Sequence, residues 1–145
     1  MTIQNTIVTP PITPPPITPA AQPRATVLLV EDDRSIRRYL EVTLQRAGYT
    51  VIAVADGLEA MKAALSSQID AVITDAIMPR LNGYELCRFL RHNPKLSRVP
   101  VVLLSGIDQA AQSGEGGGHA DAYLSKPVRP EELTECVARL LAREG

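Results

Sequence analysis

In four places this 145-residue chain sets a chemically active side chain directly behind a short aliphatic run. "TVLLV" leads into Glu31-Asp32-Asp33, "AVIT" into Asp75, "VVLL" into Ser105-Gly106, and "AYL" into Ser125-Lys126-Pro127. Carboxylates gathered in one pocket repel each other, so their ionised forms are disfavoured unless something positive joins them. A hard divalent cation with oxygen ligands and retained waters suits such a cluster, and Mg²⁺ suits it best. With a metal on the acids and an ammonium nearby, the set complements a phosphoryl group. The positive charges neutralise its oxygens while a carboxylate attacks phosphorus in line. Ser105 can donate a hydrogen bond to the product, and Gly106 leaves room beside it. Singly, each residue has a plainer use: Asp33 as a helix cap, Asp75 in a turn, Lys126 on the surface. The chemical reading rests on their coincidence at four strand ends.

The elements that must position these groups follow from hydrophobic spacing. Ala25–Val30 is the first aliphatic run, followed by Ile36, Leu40, Leu44 and Ala47 at helical spacing and then by Gly48. Thr50–Val54 precedes a helix through Ala60, Ala64 and Leu65, and Ala71–Thr74 precedes one carrying Leu86, Phe89 and Leu90. Val99–Leu104 and Ala122–Leu124 supply two more strands, and the last helix presents Leu133, Val137, Leu140 and Leu141. Strand and helix in alternation predict an α/β domain with a five-stranded parallel sheet and helices on both faces. Nearly unbroken aliphatic strands fit a sheet covered on both sides. In such a sheet ligands bind at the carboxyl ends of the strands, where the acids, hydroxyl and ammonium all stand. Asn82-Gly-Tyr-Glu85 reads as a capping box, and Pro130-Glu131-Glu132 as the first turn of the last helix. The helix between the fourth and fifth strands is predicted to be weak. "IDQAAQSGEGGGHA" has little apolar content and four glycines, each costing roughly 1 kcal/mol against alanine.

Composition excludes several other functions. Hydrophobic residues make up 45% and charged residues 21%, as in a globular domain, and the formal charge of -1 gives no field for nucleic acid or an anionic membrane. One phenylalanine, four tyrosines and no tryptophan leave few platforms for stacking bases. The longest aliphatic run is far too short to span a bilayer and the N-terminus is not built as a signal peptide, so a cytoplasmic location is expected. Cys87 and Cys136 lie in separate helical patterns and are expected to be reduced, half-buried thiols. His92 and His119 have no neighbours at metal-ligand spacing. Residues 1–23 differ from the rest: "TPPITPPPITP" holds six of the twelve prolines, and no charge precedes Arg24. A Pro/Thr-rich disordered tail is expected there, with the folded domain over 24–145.

At "LLVEDD", "ITDAIMPRLNGYEL", "VVLLSG" and "DAYLSKP" the chain resembles the receiver domain of two-component response regulators, over about residues 24–143. The resemblance implies a flavodoxin-like, doubly wound sheet of strand order 2-1-3-4-5. It also implies Asp75 as phosphoacceptor, Glu31 and Asp32 as the acidic pair for Mg²⁺, and the backbone carbonyl of Ile77 as a further ligand. Ser105 becomes the switch hydroxyl, Lys126 the active-site lysine, and Tyr123 the aromatic that turns inward on activation, with a cis bond at Lys126–Pro127. A sensor histidine kinase or a histidine phosphotransfer protein is the implied donor. Its docking surface is placed on Ile36, Pro127 and Val128 with Arg37 or Arg38 at the rim.

With no output domain before Gly145, a stand-alone receiver is expected: a phosphorylation-activated switch, not an enzyme, signalling to an unknown downstream protein as a monomer or weak dimer. Ile77 and Ile107 are expected to restrict water and prolong the acyl phosphate. Two alternatives are a small Mg²⁺-dependent phosphohydrolase and a degenerate receiver acting as a constitutive interaction domain. The first lacks the acid such enzymes carry two residues past the nucleophile, where Ile77 stands.

Overall fold

The structure, a computed structural model, describes residues 24–106 and 120–144. The expected tail over 1–23 and the weak helix between the fourth and fifth strands lie outside the described residues, as do Ile107 and His119. The described elements run β1 (Thr26–Val30), α1 (Arg34–Arg46), β2 (Thr50–Val54), α2 (Gly57–Ser66), β3 (Ala71–Asp75), α3 (Gly83–His92), β4 (Val101–Ser105), β5 (Ala122–Ser125) and α4 (Pro130–Glu144). The five strands form one sheet in the order β2-β1-β3-β4-β5, every pair parallel. This is the flavodoxin-like α/β fold, with helices on both faces.

Alternation along each strand divides the core in two. Val27, Leu29, Ala71, Ile73, Val102 and Leu104 meet Leu40 and Leu44 of α1 and Leu133, Val137 and Leu140 of α4. Leu28, Val30, Val72 and Val101 point the other way, onto Ala60 and Ala64 of α2 and Leu86, Cys87 and Leu90 of α3. Both cysteines are buried free thiols, and burial pushes each above the ordinary range. Leu65, grouped with Ala60 and Ala64 by spacing alone, points outward instead. The inward stripe of α2 is Ala60 and Ala64.

Local signals set the helix starts. Asp33 caps α1, its Oδ1 accepting the Ile36 N–H at 2.9 Å. Asp56 caps α2 through Glu59 N–H at 2.9 Å. At α3 the full capping box forms: Asn82 accepts from Glu85 N–H and Glu85 accepts from Asn82 N–H, both at 2.9 Å. These caps stand at the carboxyl edge of the sheet, so the strand-to-helix loops there are tight and well anchored. No helix of the described residues is long and apolar enough to cross a membrane.

Candidate functional site

β1 and β3 are neighbours, and helices leave them toward opposite faces of the sheet, which opens a crevice at their carboxyl ends. Val30 pairs with Thr74, so the residues that follow each strand end side by side. Oxygen atoms of Glu31, Asp32 and Asp75 consequently lie within 4.8 Å of one another. Lys126 reaches in from the end of β5, its Nζ 2.8 Å from Asp75 Oδ2 and 3.5 Å from Glu31 Oε1. The Lys126 N–H donates to the Ser105 carbonyl at 2.8 Å, which ties the end of β5 to that of β4, and the bond to Pro127 is cis.

Glu31 is only 1% exposed, and burial pushes its carboxyl up to about 7. The charge of Asp75 and a hydrogen bond with Asp32 push the same way, while the Asp33 N–H and the Lys126 charge oppose them. Lys126 shows the converse: burial works against its charge, but the hydrogen bond and charge of Asp75, with those of Glu31, hold its ammonium above the ordinary range. Among the described residues, Ser105 Oγ is buried without a hydrogen-bond partner, and Glu31 Oε1 is buried with only the long 3.5 Å ion pair to Lys126. An under-satisfied carboxylate oxygen inside an all-oxygen trio fits a small hard cation such as Mg²⁺. Asp33 does not join the trio, because its side chain is spent on the α1 cap.

Ile77 follows Asp75 by two residues, its N–H 3.4 Å from Asp75 Oδ1, and it is 49% exposed. Ser105 pairs with Ser125 and Leu103 with Tyr123, so Tyr123 stands one alternation below Ser105 on the same sheet face. Burial holds the Tyr123 phenol above its ordinary range. Gly83 closes the far side of the site. Its N–H donates to the Ala76 carbonyl at 2.8 Å, and a Cβ there would overlap the Asp75 carbonyl oxygen.

Beside Lys126, on the face of α1, lies an apolar hollow of about 330 Å³ lined by Ile36, Tyr39, Leu40, Leu104, Pro127 and Val128. Three of the residues nominated for docking therefore share one surface. The two arginines nominated for its rim behave differently. Arg37 turns inward and donates to the Glu31 carbonyl at 2.9 Å, tying α1 to the end of β1. Arg38 stays on the solvated face beside Glu41. Tyr39, at 47% exposure a large part of the hollow's wall, was missed in the sequence. Its position one helical turn past Ile36 was the available signal.

A parallel sheet of this order, with an acid trio and a lysine at its carboxyl edge, defines the receiver domain of two-component signalling. The profile of the response regulator receiver domain family matches residues 27–138, and the chain belongs to that family. It is 39% identical over 118 residues to the response regulator MprA of Mycobacterium ulcerans, covering 81% of this chain and 50% of that protein. It is 35% identical to the transcriptional regulatory protein GltR of Pseudomonas aeruginosa, covering 81% of this chain and 49% of the relative. The chain thus spans about half the length of these curated relatives. Among solved structures, the chemotaxis response regulator CheY4 of Vibrio cholerae superposes with a TM-score of 0.72 at 35% identity, over 81% of this chain and 98% of that one. The receiver domain of a Syntrophus aciditrophicus histidine kinase gives 0.75 at 34% identity, over 82% and 91%.

Proposed function

We propose that this chain is a phosphorylation switch that takes a phosphoryl group onto Asp75 from a phosphohistidine donor. The observation that carries the proposal is the 2.8 Å contact between Lys126 Nζ and Asp75 Oδ2 within the carboxylate trio. A carboxylate oxygen of Asp75 attacks phosphorus, the P–N bond to the donor imidazole breaks, and the imidazole leaves with that electron pair. The product is an acyl phosphate on Asp75, later released by water.

Glu31, Asp32, Asp75 and the Ile77 carbonyl would hold Mg²⁺, which when bound neutralises charge on the phosphoryl oxygens. The remaining work falls to the chain itself. Lys126 offers an ammonium kept charged by its two acid neighbours, and it stands where phosphoryl oxygens would arrive. Asp75 is held from both sides: its Oδ2 by Lys126, and its backbone by the Ala76 N–H bond to the Leu104 carbonyl at 2.8 Å. Ser105 keeps a buried hydroxyl unspent. The new phosphoryl oxygen gives it an acceptor, so phosphorylation draws the β4 end inward and shifts a two-state equilibrium in which Tyr123 follows.

The hollow of Ile36, Tyr39, Pro127 and Val128 adjoins Lys126 and serves as the donor's docking surface, its apolar wall covering a helix of a histidine kinase or phosphotransfer protein. The test is intact-protein mass after incubation with acetyl phosphate and Mg²⁺. One phosphoryl adduct, dependent on Mg²⁺ and absent in Asp75→Asn, is expected. An adduct that survives in Asp75→Asn, or none in the wild-type chain, refutes the proposal.

A further inference from the structure

Among the described residues, Arg80 is the non-glycine residue with positive φ, at 71°. The Leu81 N–H donates to the Pro79 carbonyl at 2.9 Å, closing a three-residue turn over Arg80. With positive φ this is the rare, strained form of γ-turn, not the common inverse one. A bulky side chain keeps such a conformation only where its surroundings hold it.

Two contacts from the start of α2, its capping residue and its first residue, do so. Arg80 Nη2 lies 2.7 Å from Asp56 Oδ2. Gly57 packs so closely on the Leu81 backbone that a Cβ would overlap the Leu81 carbonyl oxygen. Asp56 commits its two oxygens separately, Oδ1 to the α2 cap and Oδ2 to Arg80. The Glu59 N–H bond and then the Arg80 charge outweigh burial and hold this carboxyl below its ordinary range, so it is ionised at neutral pH. The arginine is 65% exposed and its partner is buried, so the clamp is an arm laid over the surface onto a fixed post.

The loop it clamps is the one that follows Asp75. At one end the Gly83 N–H reaches back to the Ala76 carbonyl at 2.8 Å, closing residues 76–83 into a ring. Ile77 lies within that ring, its N–H facing Asp75, and Met78 beside it is buried. Backbone bonds fix the base of the ring, and the Arg80 clamp fixes its crown. We infer that Arg80 and Asp56 are positioning residues for the cation: their ion pair holds the strained turn and thereby sets the orientation of the Ile77 carbonyl. This rests on the reading of Glu31, Asp32, Asp75 and Ile77 as the Mg²⁺ site.

The experiment is a Mg²⁺ titration of the full chain followed by amide chemical shifts, for the wild type, Arg80→Ala, Asp56→Asn, both together, and Arg80→Lys. Asparagine keeps the α2 cap while removing the charge, and thermal unfolding of each variant reports the fold separately. Arg80→Ala and Asp56→Asn are each expected to raise the Mg²⁺ dissociation constant about tenfold, as loss of a residue supporting a metal ligand does. The double variant is expected to match either single one, because both remove one clamp, and Arg80→Lys to recover part of the loss. Wild-type shifts that respond to Mg²⁺ while both single variants stay within twofold overturn the clamp and leave the site standing. An additive double variant likewise overturns it. A wild type with no Mg²⁺-dependent shifts overturns the site and the clamp with it.

Discussion

With Glu31 as a cation ligand, as proposed, Mg²⁺ binding is expected to depend on pH in a range where ordinary carboxylates are silent. Its folded-state value of about 7 stands above the unfolded value of 4.5, with burial as the first cause. The sign follows: the folded protein keeps a proton that the unfolded chain releases. Stability from this group is complete below about pH 4.5, falls as pH rises, and is lost above about pH 7. The total is on the order of 3 kcal/mol for a shift of this size. A cation at the trio needs Glu31 ionised, so it competes with that proton. For one competing proton the apparent dissociation constant scales as one plus the ratio of proton concentration to the acid constant. Between about pH 8 and about pH 5.5 it should weaken roughly thirtyfold, or about 2 kcal/mol, whereas a carboxyl of ordinary value would change it by about a tenth.

The assay is Mg²⁺ titration at both pH values, read from the amides of Asp32 and Ile77, with urea unfolding alongside. Mg²⁺ is expected to raise the unfolding midpoint more at the higher pH. In Glu31→Gln the pH slope should flatten, because the competing proton is gone. A wild-type affinity that changes less than threefold over that interval refutes the placement of Glu31 as a buried, proton-holding ligand.

Three further perturbations follow from the same geometry. Gly83→Ala should destabilise the fold by about 2 kcal/mol in urea unfolding although alanine favours helix, because its Cβ would meet first the Asp75 backbone oxygen, which cannot swing aside, and behind it the Leu103 side chain. Ser105→Ala should leave the unphosphorylated protein as stable or up to about 1 kcal/mol more stable, since its buried hydroxyl has no partner to lose. Its phosphorylated form should lose the conformational response in amide shifts. Ile77→Asn should speed loss of the acyl phosphate several-fold, followed by intact mass over time. An unchanged rate counts against the idea that the apolar side chain beside Asp75 excludes water.

The parts of this molecule that were legible in its sequence are those decided by local pattern. Val27 to Val30 are all buried, odd-numbered residues on one face and even-numbered on the other, and only a strand covered on both sides needs that composition. Asn82 and Glu85 announce their capping box because both partners lie within one turn. Strand order was not legible in this way, since an aliphatic strand pairs equally well with any other, and it came with the family resemblance. The acid cluster at the ends of β1 and β3 was found because fold class says where strand ends converge, whereas the choice of Glu31 and Asp32 over Asp33 came with the family resemblance. The titration of Glu31 was hidden, because it depends on burial that only the packed structure creates.

Arg80 was invisible for the opposite reason. Nothing in "MPRLN" asks for positive φ at an arginine, and local propensity argues against it. The conformation is accompanied by an ion pair with Asp56, 24 residues earlier in the chain and on another loop. Where a chain breaks a local rule and answers it with a long-range contact, the strained residue marks geometry the fold is committed to keeping. Here that geometry is the loop directly after Asp75. The violation therefore falls on the loop that leads away from one of the site's acids.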